Sequence, residues 1–209
     1  MKLYEFNPAP NPRRVRMFLA EKGIKVDMEQ VDIFKGENLS PEYRAINPRG
    51  MIPTLVFDDG SFIDETMAIC RYFEAEQPEP SLFGKTPREQ GAVESWVRRI
   101  EHDGIAQAAY VIRNSNPAFE NRGVAGLDDC PQIPDLVERG RKGLTKFFKT
   151  LDDQLAKNEF IAGSNYSAAD INALCAVDFA EFVGVTVPED LTHLSAWRQK
   201  VTARESSKA

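Results

Sequence analysis

The chain has 209 residues, of which 42% are apolar and 10% aromatic, so its composition excludes a disordered chain. The 26 Lys and Arg residues against 32 Asp and Glu give a formal charge of −6, which argues against a nucleic-acid partner. No stretch approaches about 18 uncharged apolar residues, so no membrane span or membrane partner is predicted. The three cysteines form no CxxC pair, the first residues form no apolar leader, and two separated histidines make no metal site. These features predict a soluble, cytoplasmic protein.

The first 77 residues alternate short strands and helices. The predicted strands are Lys2–Phe6, Val26–Ile33, Thr54–Phe57 and Ser61–Ile63. The predicted helices run from the turn at Asn7–Pro12 to Gly23, near Ser40–Ala45, and over Glu65–Glu76. The order β-α-β-α-β-β-α predicts an α/β domain over residues 1–77, with a parallel first strand pair and one antiparallel hairpin.

Beyond a linker at residues 78–86, the pattern predicts an all-α domain over residues 87–209. Thr86-Pro87-Arg88-Glu89 and Ser167-Ala168-Ala169-Asp170 each place an N-cap hydroxyl three residues before a carboxylate, as in a capping box. Ile171–Val183 is apolar on almost every face, which is typical of a helix in the centre of a bundle. One long helix is predicted from Thr86 to about Ile112, and a loop follows at Asn114–Pro134. The three helices predicted after this loop are Asp135–Lys157, Ile171–Val183 and Pro188–Arg204.

Two segments of the first domain carry features of a binding site. Pro53 precedes a strand, where a cis peptide would turn the Ile52 backbone outward to pair with an extended peptide; an ordinary strand-entry turn is the alternative. At Glu65-Thr66 a strand gives way to a helix, whose free N–H groups and positive dipole end favour an anion. Thr66 would hold a carboxylate and Glu65 an ammonium, although simple capping by Asp64 or Glu65 is the alternative.

A third segment is the proline-rich turn Asn7–Pro12, which opens the first helix. The amide dipoles at this helix start favour a thiolate or another anion. No single segment identifies a site, but the order and spacing of the three are difficult to produce by chance.

These segments resemble the cytosolic glutathione S-transferase family. The matching residues are Asn47–Leu55 (Asn-Pro-x-Gly-x-Val-Pro-x-Leu in the family), the pair Glu65-Thr66, and Gly163–Ile171. The resemblance implies a thioredoxin-like N-terminal domain, an all-α C-terminal domain and a homodimer with a role in detoxification. It also implies glutathione as co-substrate, no separate cofactor, and a small hydrophobic electrophile bound between the domains.

The resemblance also assigns residues to parts of glutathione. Ile52, held by Pro53, would pair through its backbone with the cysteinyl unit. Glu65 and Thr66 would hold the γ-glutamyl end. Lys35 and Met51 would lie near the glycine carboxylate, although Lys35 reads equally well as a solvated loop lysine.

The sequence departs from the family pattern at the position that would lie beside the glutathione sulfur. Most members place a Tyr, Ser or Cys there, whereas Phe6–Pro12 contains no hydroxyl or thiol, and Tyr4 lies too early in the strand. This resembles the fungal and bacterial branch, like the second yeast-type transferase, in which a small residue, here Ala9, occupies the helix start. A water held from the helical domain then replaces the missing side chain.

The Asn11 amide is the strongest candidate for a direct donor to the sulfur, with a turn or capping role as its alternative. The candidates from the helical domain are Tyr110, Arg113, Asn114 and Ser115. Arg13 and Arg14 are expected to face solvent.

The predicted function is conjugation of the glutathione thiolate to electrophilic hydrophobic compounds. Two alternatives stay open at this point. One is a non-catalytic binding module with the same fold, and the other is a different glutathione-dependent reaction, such as peroxide reduction or dehalogenation.

Overall fold

The computed structural model describes residues 1–209, and its first half is built on a four-stranded sheet. The strands are β1 (Lys2–Glu5), β2 (Asp27–Gln30), β3 (Thr54–Val56) and β4 (Phe62–Asp64). They lie in the order β2-β1-β3-β4, with β1 and β2 parallel and the other neighbouring pairs antiparallel. The predicted α/β arrangement is therefore confirmed.

Three helices flank the sheet: α1 (Pro10–Lys22), α2 (Pro41–Ile46) and α3 (Thr66–Glu76). Two prolines lie in the first turn of α1, where a missing N–H costs no helical hydrogen bond. The helix ends at Gly23, whose φ of +66° suits a residue without a Cβ. These are the start and stop signals that the sequence provides.

The second half is helical throughout. Its helices are α4 (Pro87–Ile100), α5 (Ala106–Ser115), α6 (Asp135–Leu155), α7 (Ala168–Phe182) and α8 (Thr192–Thr202). Short 3-10 turns cover Glu37–Leu39, Pro117–Phe119 and Glu205–Lys208. No helix in the chain is both long and apolar enough to cross a membrane.

The single long helix predicted after Thr86 is wrong in one respect: a π-helical segment, Glu101–Ile105, separates α4 from α5. Gly104 lies in this segment, and a Cβ there would come 2.8 Å from the Phe147 ring on α6. The inserted residue of a π segment changes which side chains face a neighbour. This change follows from packing against α6, so the local pattern does not predict it.

The two halves share one hydrophobic core of 37 buried residues. α7 is buried on almost every face, as predicted, and packs against α1 and α4. Leu82 and Phe83, from the predicted linker, are also buried there, and the Phe83 and Phe18 ring centroids lie 5.7 Å apart. Because the core is continuous across the linker, the exact domain boundaries stay a prediction.

Candidate functional site

A cleft of about 250 Å³ separates the two halves, and 14 of its 24 lining residues are hydrophobic. One side is formed by the turn at residues 8–13 together with Met51 and Ile52. The opposite side is formed by Ile105 of the π segment, by α5, with Ala109, Ile112 and Arg113, and by α7, with Cys175, Asp178, Phe179 and Phe182. The cleft therefore has backbone and helix ends on one side and mainly apolar side chains on the other.

The N-terminus of α1 opens onto this cleft without a cap. Ala9 is the N-cap residue, and no side chain accepts from the first turn. Pro10 and Pro12 have no N–H to offer. The backbone N–H of Asn11 has no partner within the chain, so it is the first turn's free donor at the positive end of the helix dipole.

The side chain of Asn11 adds a second donor. Arg14 Nη2 donates to Asn11 Oδ1 at 2.8 Å. Because a guanidinium only donates, the amide oxygen must face Arg14, and the amide NH2 is left without a protein partner. Asn11 lines the cleft, so both of its free donors are available to a ligand there.

Arg14 is the residue on which sequence reasoning failed. Its expected exposure is wrong, because it is 3% exposed and joins four elements. It donates to Asn172 Oδ1, to Glu101 Oε1 at 3.1 Å and to Thr66 Oγ1 at 3.2 Å, besides Asn11. Three of these partners are 52 to 158 residues away in sequence, so no local pattern reveals the network.

Arg13 does not face open solvent either. Its side chain is 24% exposed, and Nη1 donates to Asp178 Oδ2 on α7 at 2.6 Å. Nη2 donates to the Ser207 carbonyl near the chain end at 3.1 Å. Arg13 therefore ties α1 to the helical half from the side of the cleft.

The N-terminus of α3 is the second open helix end. No side chain caps its first turn, so capping by Asp64 or Glu65 is not what the structure has. Glu65 is the one non-glycine residue with positive φ, at +68°, a conformation that costs free energy and is frequent at binding sites. Its carboxylate is 63% exposed and pairs with Arg49 at 2.8 Å, whereas Thr66 is buried.

The turn before β3 has a cis peptide bond between Ile52 and Pro53, which is the first of the two alternatives that the sequence left open. Neither the N–H nor the C=O of Ile52 has a partner within the chain. The Tyr43 hydroxyl donates to the Met51 carbonyl at 2.6 Å, and burial raises the pKa of Tyr43 to about 12, so this donor stays protonated. The turn is thus held from behind, while the Ile52 backbone lies free along the cleft.

Five of the predicted site residues lie outside the cleft lining: Pro53, Glu65, Thr66, Lys35 and Tyr110. Lys35 is 74% exposed and pairs with Asp32 at 3.2 Å. Tyr110 is 40% exposed and lies beside Gly140 of α6. One helical position is a rotation of about 100°, so Tyr110 faces away from the wall to which its neighbour Ala109 contributes.

Sequence reasoning missed one cleft residue, Asn38. Its Nδ2 donates to the Gly50 carbonyl at 2.7 Å, and its Oδ1 is buried without any partner. A buried acceptor without a partner is rare and indicates an absent donor. Asn38 lies between a positive-φ glycine and a helix N-cap, and nothing in that pattern distinguishes it from an ordinary loop residue.

Comparisons with known proteins show the family to which both halves of the chain belong. The family model for the glutathione S-transferase N-terminal domain matches residues 9–76, and the one for the C-terminal domain matches residues 124–205. Glutathione S-transferase 2 of Saccharomyces cerevisiae is 32% identical over 216 residues, covering 100% of this chain and 88% of that protein. The chain belongs to the glutathione S-transferase family.

Solved structures of family members have the same fold over the full length. The crystal structure of Gtt2 from Saccharomyces cerevisiae has a TM-score of 0.92 and 31% identity, covering 100% of this chain and 99% of that one. A glutathione S-transferase domain-containing protein from Marinobacter aquaeolei has a TM-score of 0.90 and 35% identity, covering 99% of each chain. The thioredoxin-like and helical domains of a glutathione S-transferase are therefore both present.

A loop from the helical half of this transferase covers one end of the cleft. Arg122 donates to the carbonyls of Ile33 and Phe34, both at 2.8 Å. Gly126 packs so closely on Arg49 that a Cβ would overlap the Arg49 carbonyl. The loop predicted at Asn114–Pro134 thus contacts segments of the first half around Ile33 and Met51.

The cysteines of the transferase are poorly suited to act as nucleophiles. Cys70 and Cys175 are buried, and burial raises the pKa of both thiols, that of Cys175 to about 11. Cys130 lies in the loop and does not line the cleft. None of the three cysteines therefore combines a place on the cleft with a readily ionised thiol.

Proposed function

We propose that this glutathione S-transferase conjugates the glutathione thiolate to hydrophobic electrophiles held against α5 and α7. The observation that carries the proposal is Asn11, which presents a free backbone N–H and a free amide NH2 at an open helix end on an apolar cleft. Such a site combines a place for an anion with a place for an apolar partner. The relatives' names support glutathione as co-substrate.

Each part of glutathione has complementary groups, either in the cleft or, for the γ-glutamyl end, at the open end of α3, which Arg14 joins to Asn11. The unpaired Ile52 N–H and C=O, positioned by Pro53, would pair with the cysteinyl backbone. The open end of α3 at Thr66 would receive the α-carboxylate, and Glu65 the ammonium group. This is the combination of anion and cation that an amino acid head group requires.

The glycine end would lie near Met51, at the cleft edge that the loop covers. Lys35 is exposed and would reach the glycine carboxylate by exchanging its contact with Asp32 for the ligand. Asn38 would receive an N–H of the tripeptide on its unpartnered oxygen.

Reaction requires that the glutathione thiol, with a pKa of about 8.5 when free, be ionised near neutral pH. The dipole of α1 contributes about 0.3–1 kcal/mol in favour of the thiolate, and a hydrogen bond to a charged sulfur about 1.5–3 kcal/mol. Together these exceed the roughly 1.4 kcal/mol that one unit of pKa depression requires. The small side chain of Ala9 leaves room for the sulfur beside Asn11.

The thiolate then attacks the electrophilic carbon of the second substrate. A carbon–sulfur bond forms, and the leaving group departs with its electron pair or, in an addition, the electrons move into the acceptor. The thiol proton is released to solvent before the attack. Catalysis therefore rests on positioning and thiolate stabilisation. Tyr110 would contribute only through a bridging water or a movement of α5, because it faces away from the cleft.

A non-catalytic binding module is the second candidate function, and the absence of a hydroxyl or thiol over Phe6–Pro12 favours it. Titration of the thiolate absorbance of bound glutathione separates the two. Conjugation predicts a bound thiol pKa at least about one unit below that of free glutathione, and an unchanged pKa would support the binding module.

The same titration tests Asn11. The Asn11→Ala variant should raise the bound thiol pKa by about one unit and lower kcat about tenfold, because a charge-assisted hydrogen bond is lost. Asn7→Ala is the matched control, since Asn7 is exposed in the same turn and does not line the cleft. Equal effects of the two variants would remove Asn11 from the site.

We propose homodimerisation from the family resemblance and a cytoplasmic location from the sparse, unpatterned cysteines. Light scattering on the purified protein tests the first, and fractionation of the producing cells tests the second.

A further inference from the structure

Arg113 brings a positive charge without an acidic partner to the cleft. It lies on the wall of α5, and its Nη1 donates to the Arg122 carbonyl at 2.8 Å. No carboxylate lies within 4 Å of its guanidinium, although most arginines of the chain have such a partner. Its remaining N–H groups have no partner in the protein.

The other charges of the cleft do not neutralise Arg113. Asp178, the one carboxylate in the lining, is engaged by Arg13 at 2.6 Å and by Arg198 at 2.7 Å. Burial and the nearby Arg122 lower the pKa of Arg113 to about 10, so it stays charged at neutral pH. A cation in this environment has lost solvation without gaining a counter-ion, and an incoming anion would compensate that loss.

An aromatic wall continues from Arg113 toward the sulfur site. The Phe6 and Phe34 ring centroids are 5.7 Å apart, and those of Phe34 and Phe119 are 5.5 Å apart. The Arg113 guanidinium carbon lies 4.7 Å from the Phe119 centroid. All four residues line the cleft, so a flat substrate on this wall would reach Arg113 at one end.

We propose that the second substrate is an aromatic electrophile bearing a carboxylate or similar anion, and that Arg113 receives this anion and so selects the substrate. This inference rests on the proposed conjugation, because it names the substrate class of the same site. A neutral aromatic compound would fill the apolar wall but would leave the guanidinium unpaired. The guanidinium is planar and matches a carboxylate with two parallel hydrogen bonds, which a lysine would not provide.

A chloronitrobenzoate satisfies this description and makes the reaction explicit. The glutathione thiolate forms a bond to the ring carbon that carries chlorine, and the carbon–chlorine bond breaks with its electron pair on the departing chloride. The carboxylate takes no part in bond changes. Its contact with Arg113 therefore affects binding and orientation only.

The test compares 4-chloro-3,5-dinitrobenzoate with its neutral carboxamide as substrates for the wild-type enzyme and the Arg113→Met variant. Wild type should prefer the carboxylate, and the variant should lose about 10- to 100-fold in kcat/KM for it, mainly through KM. The loss for the carboxamide should stay below about threefold. Arg113→Lys should retain part of the preference.

Arg99→Met is the matched control. Arg99 also stacks on an aromatic ring, with its guanidinium carbon 3.9 Å from the Trp96 centroid, but lies outside the cleft. The Arg99→Met variant should leave kcat/KM unchanged for both the carboxylate and the carboxamide. If Arg113→Met weakens both substrates equally and raises the thiol pKa of bound glutathione, Arg113 acts on the sulfur and the inference fails. It fails equally if only the KM for glutathione rises, because Arg113 would then bind the tripeptide.

A binding measurement separates this inference from the proposed function. Calorimetry of the enzyme–glutathione complex with unreactive 3,5-dinitrobenzoate and its amide requires no turnover. Arg113-dependent preference for the benzoate would support the anion site even if conjugation were absent. Equal affinity for both compounds would overturn the inference even in an active transferase.

Discussion

Two helices of the first half, α1 and α3, begin differently from two helices of the second half, α4 and α7. α1 and α3 have no side-chain cap, whereas α4 and α7 begin with complete capping boxes. In α4 the Thr86 hydroxyl accepts from the Glu89 N–H at 3.2 Å, and the Glu89 carboxylate accepts from the Thr86 N–H at 3.0 Å. The same reciprocal pair occurs in α7 between Ser167 and Asp170.

The uncapped helix starts leave backbone donors free for a ligand, whereas the capping boxes stabilise the fold. A missing cap costs about 0.5–2 kcal/mol, so the two open ends make the ligand-binding half less stable by itself. The open ends are fixed instead by Arg14, which contacts Asn11 of α1 and Thr66 of α3. The helical half holds Arg14 in place, because Asn172 and Glu101 accept hydrogen bonds from the same guanidinium. These contacts compensate for the stability lost at the uncapped helix ends.

The largest effect is expected when the fixing residue is removed. The Arg14→Met variant leaves the buried Asn172 oxygen without a donor and the Glu101 carboxylate with Arg98 alone. Because several buried hydrogen bonds are lost together, the free energy of unfolding should fall by about 3–5 kcal/mol. Glutathione affinity should fall at least about tenfold, because Asn11 and Thr66 lose their orienting partner. Urea unfolding and calorimetry measure the two quantities.

Arg13→Met is the neighbouring control for stability, because the Arg13 pair with Asp178 is half-buried rather than buried. Arg13→Met should lower the free energy of unfolding by less than Arg14→Met does. If the two variants were equally stable, the Arg14 network would not be what holds the open helix ends.

The two capping boxes should contribute different amounts to the free energy of unfolding, because the box of α7 is buried and that of α4 is exposed. Asp170 accepts from the Ile161 N–H, the Ser167 N–H and the Trp197 indole N–H, at 2.9 to 3.0 Å. Asp170→Asn turns an amide NH2 toward groups that only donate, and should reduce the free energy of unfolding by about 2–4 kcal/mol. Glu89→Gln, in the exposed box of α4, should cost less than about 1 kcal/mol.

Thermal and urea unfolding measure this pair of variants, and glutathione binding to the folded fraction should be unchanged in both. A larger loss for Glu89→Gln than for Asp170→Asn would contradict the idea that burial decides the contribution of a box.

The smallest effect concerns the strained residue at the open end of α3. Glycine adopts the positive φ of Glu65 without strain, so Glu65→Gly should raise the free energy of unfolding by about 1 kcal/mol. The exposed pair with Arg49 contributes little, and its loss should not cancel this gain. Glutathione affinity should fall in the same variant, because the carboxylate that would hold the ammonium is lost.

Glu65→Gln is the matched control, since it removes the charge but keeps the Cβ and hence the strain. It should weaken binding without the gain in the free energy of unfolding, as measured by calorimetry and urea titration. A lower stability of Glu65→Gly than of wild type would mean that the backbone at this position is not strained.

Much of this protein is already determined in its sequence, because local rules govern the features concerned. The proline-led start and glycine stop of α1, the hairpin of β3 and β4, and the two capping boxes depend on residues a few positions apart. Short motifs also raised a cis bond before Pro53 and an open end of α3 at Thr66, each beside an ordinary alternative between which the sequence did not decide. The Asn11 and Ala9 assignments to the sulfur site remain proposals that the titration tests.

Only the tertiary structure decided what depends on contacts across the two halves. Arg14 is buried because its partners come from α3, α7 and the π segment, and Tyr110 is turned from the cleft by the orientation of α5. Arg113 is unpaired because the one cleft carboxylate is already engaged by α1 and α8. The burial and pairing of a charged or polar side chain depend on partners that are far away in sequence. A local sequence pattern does not indicate which of these partners the fold brings close.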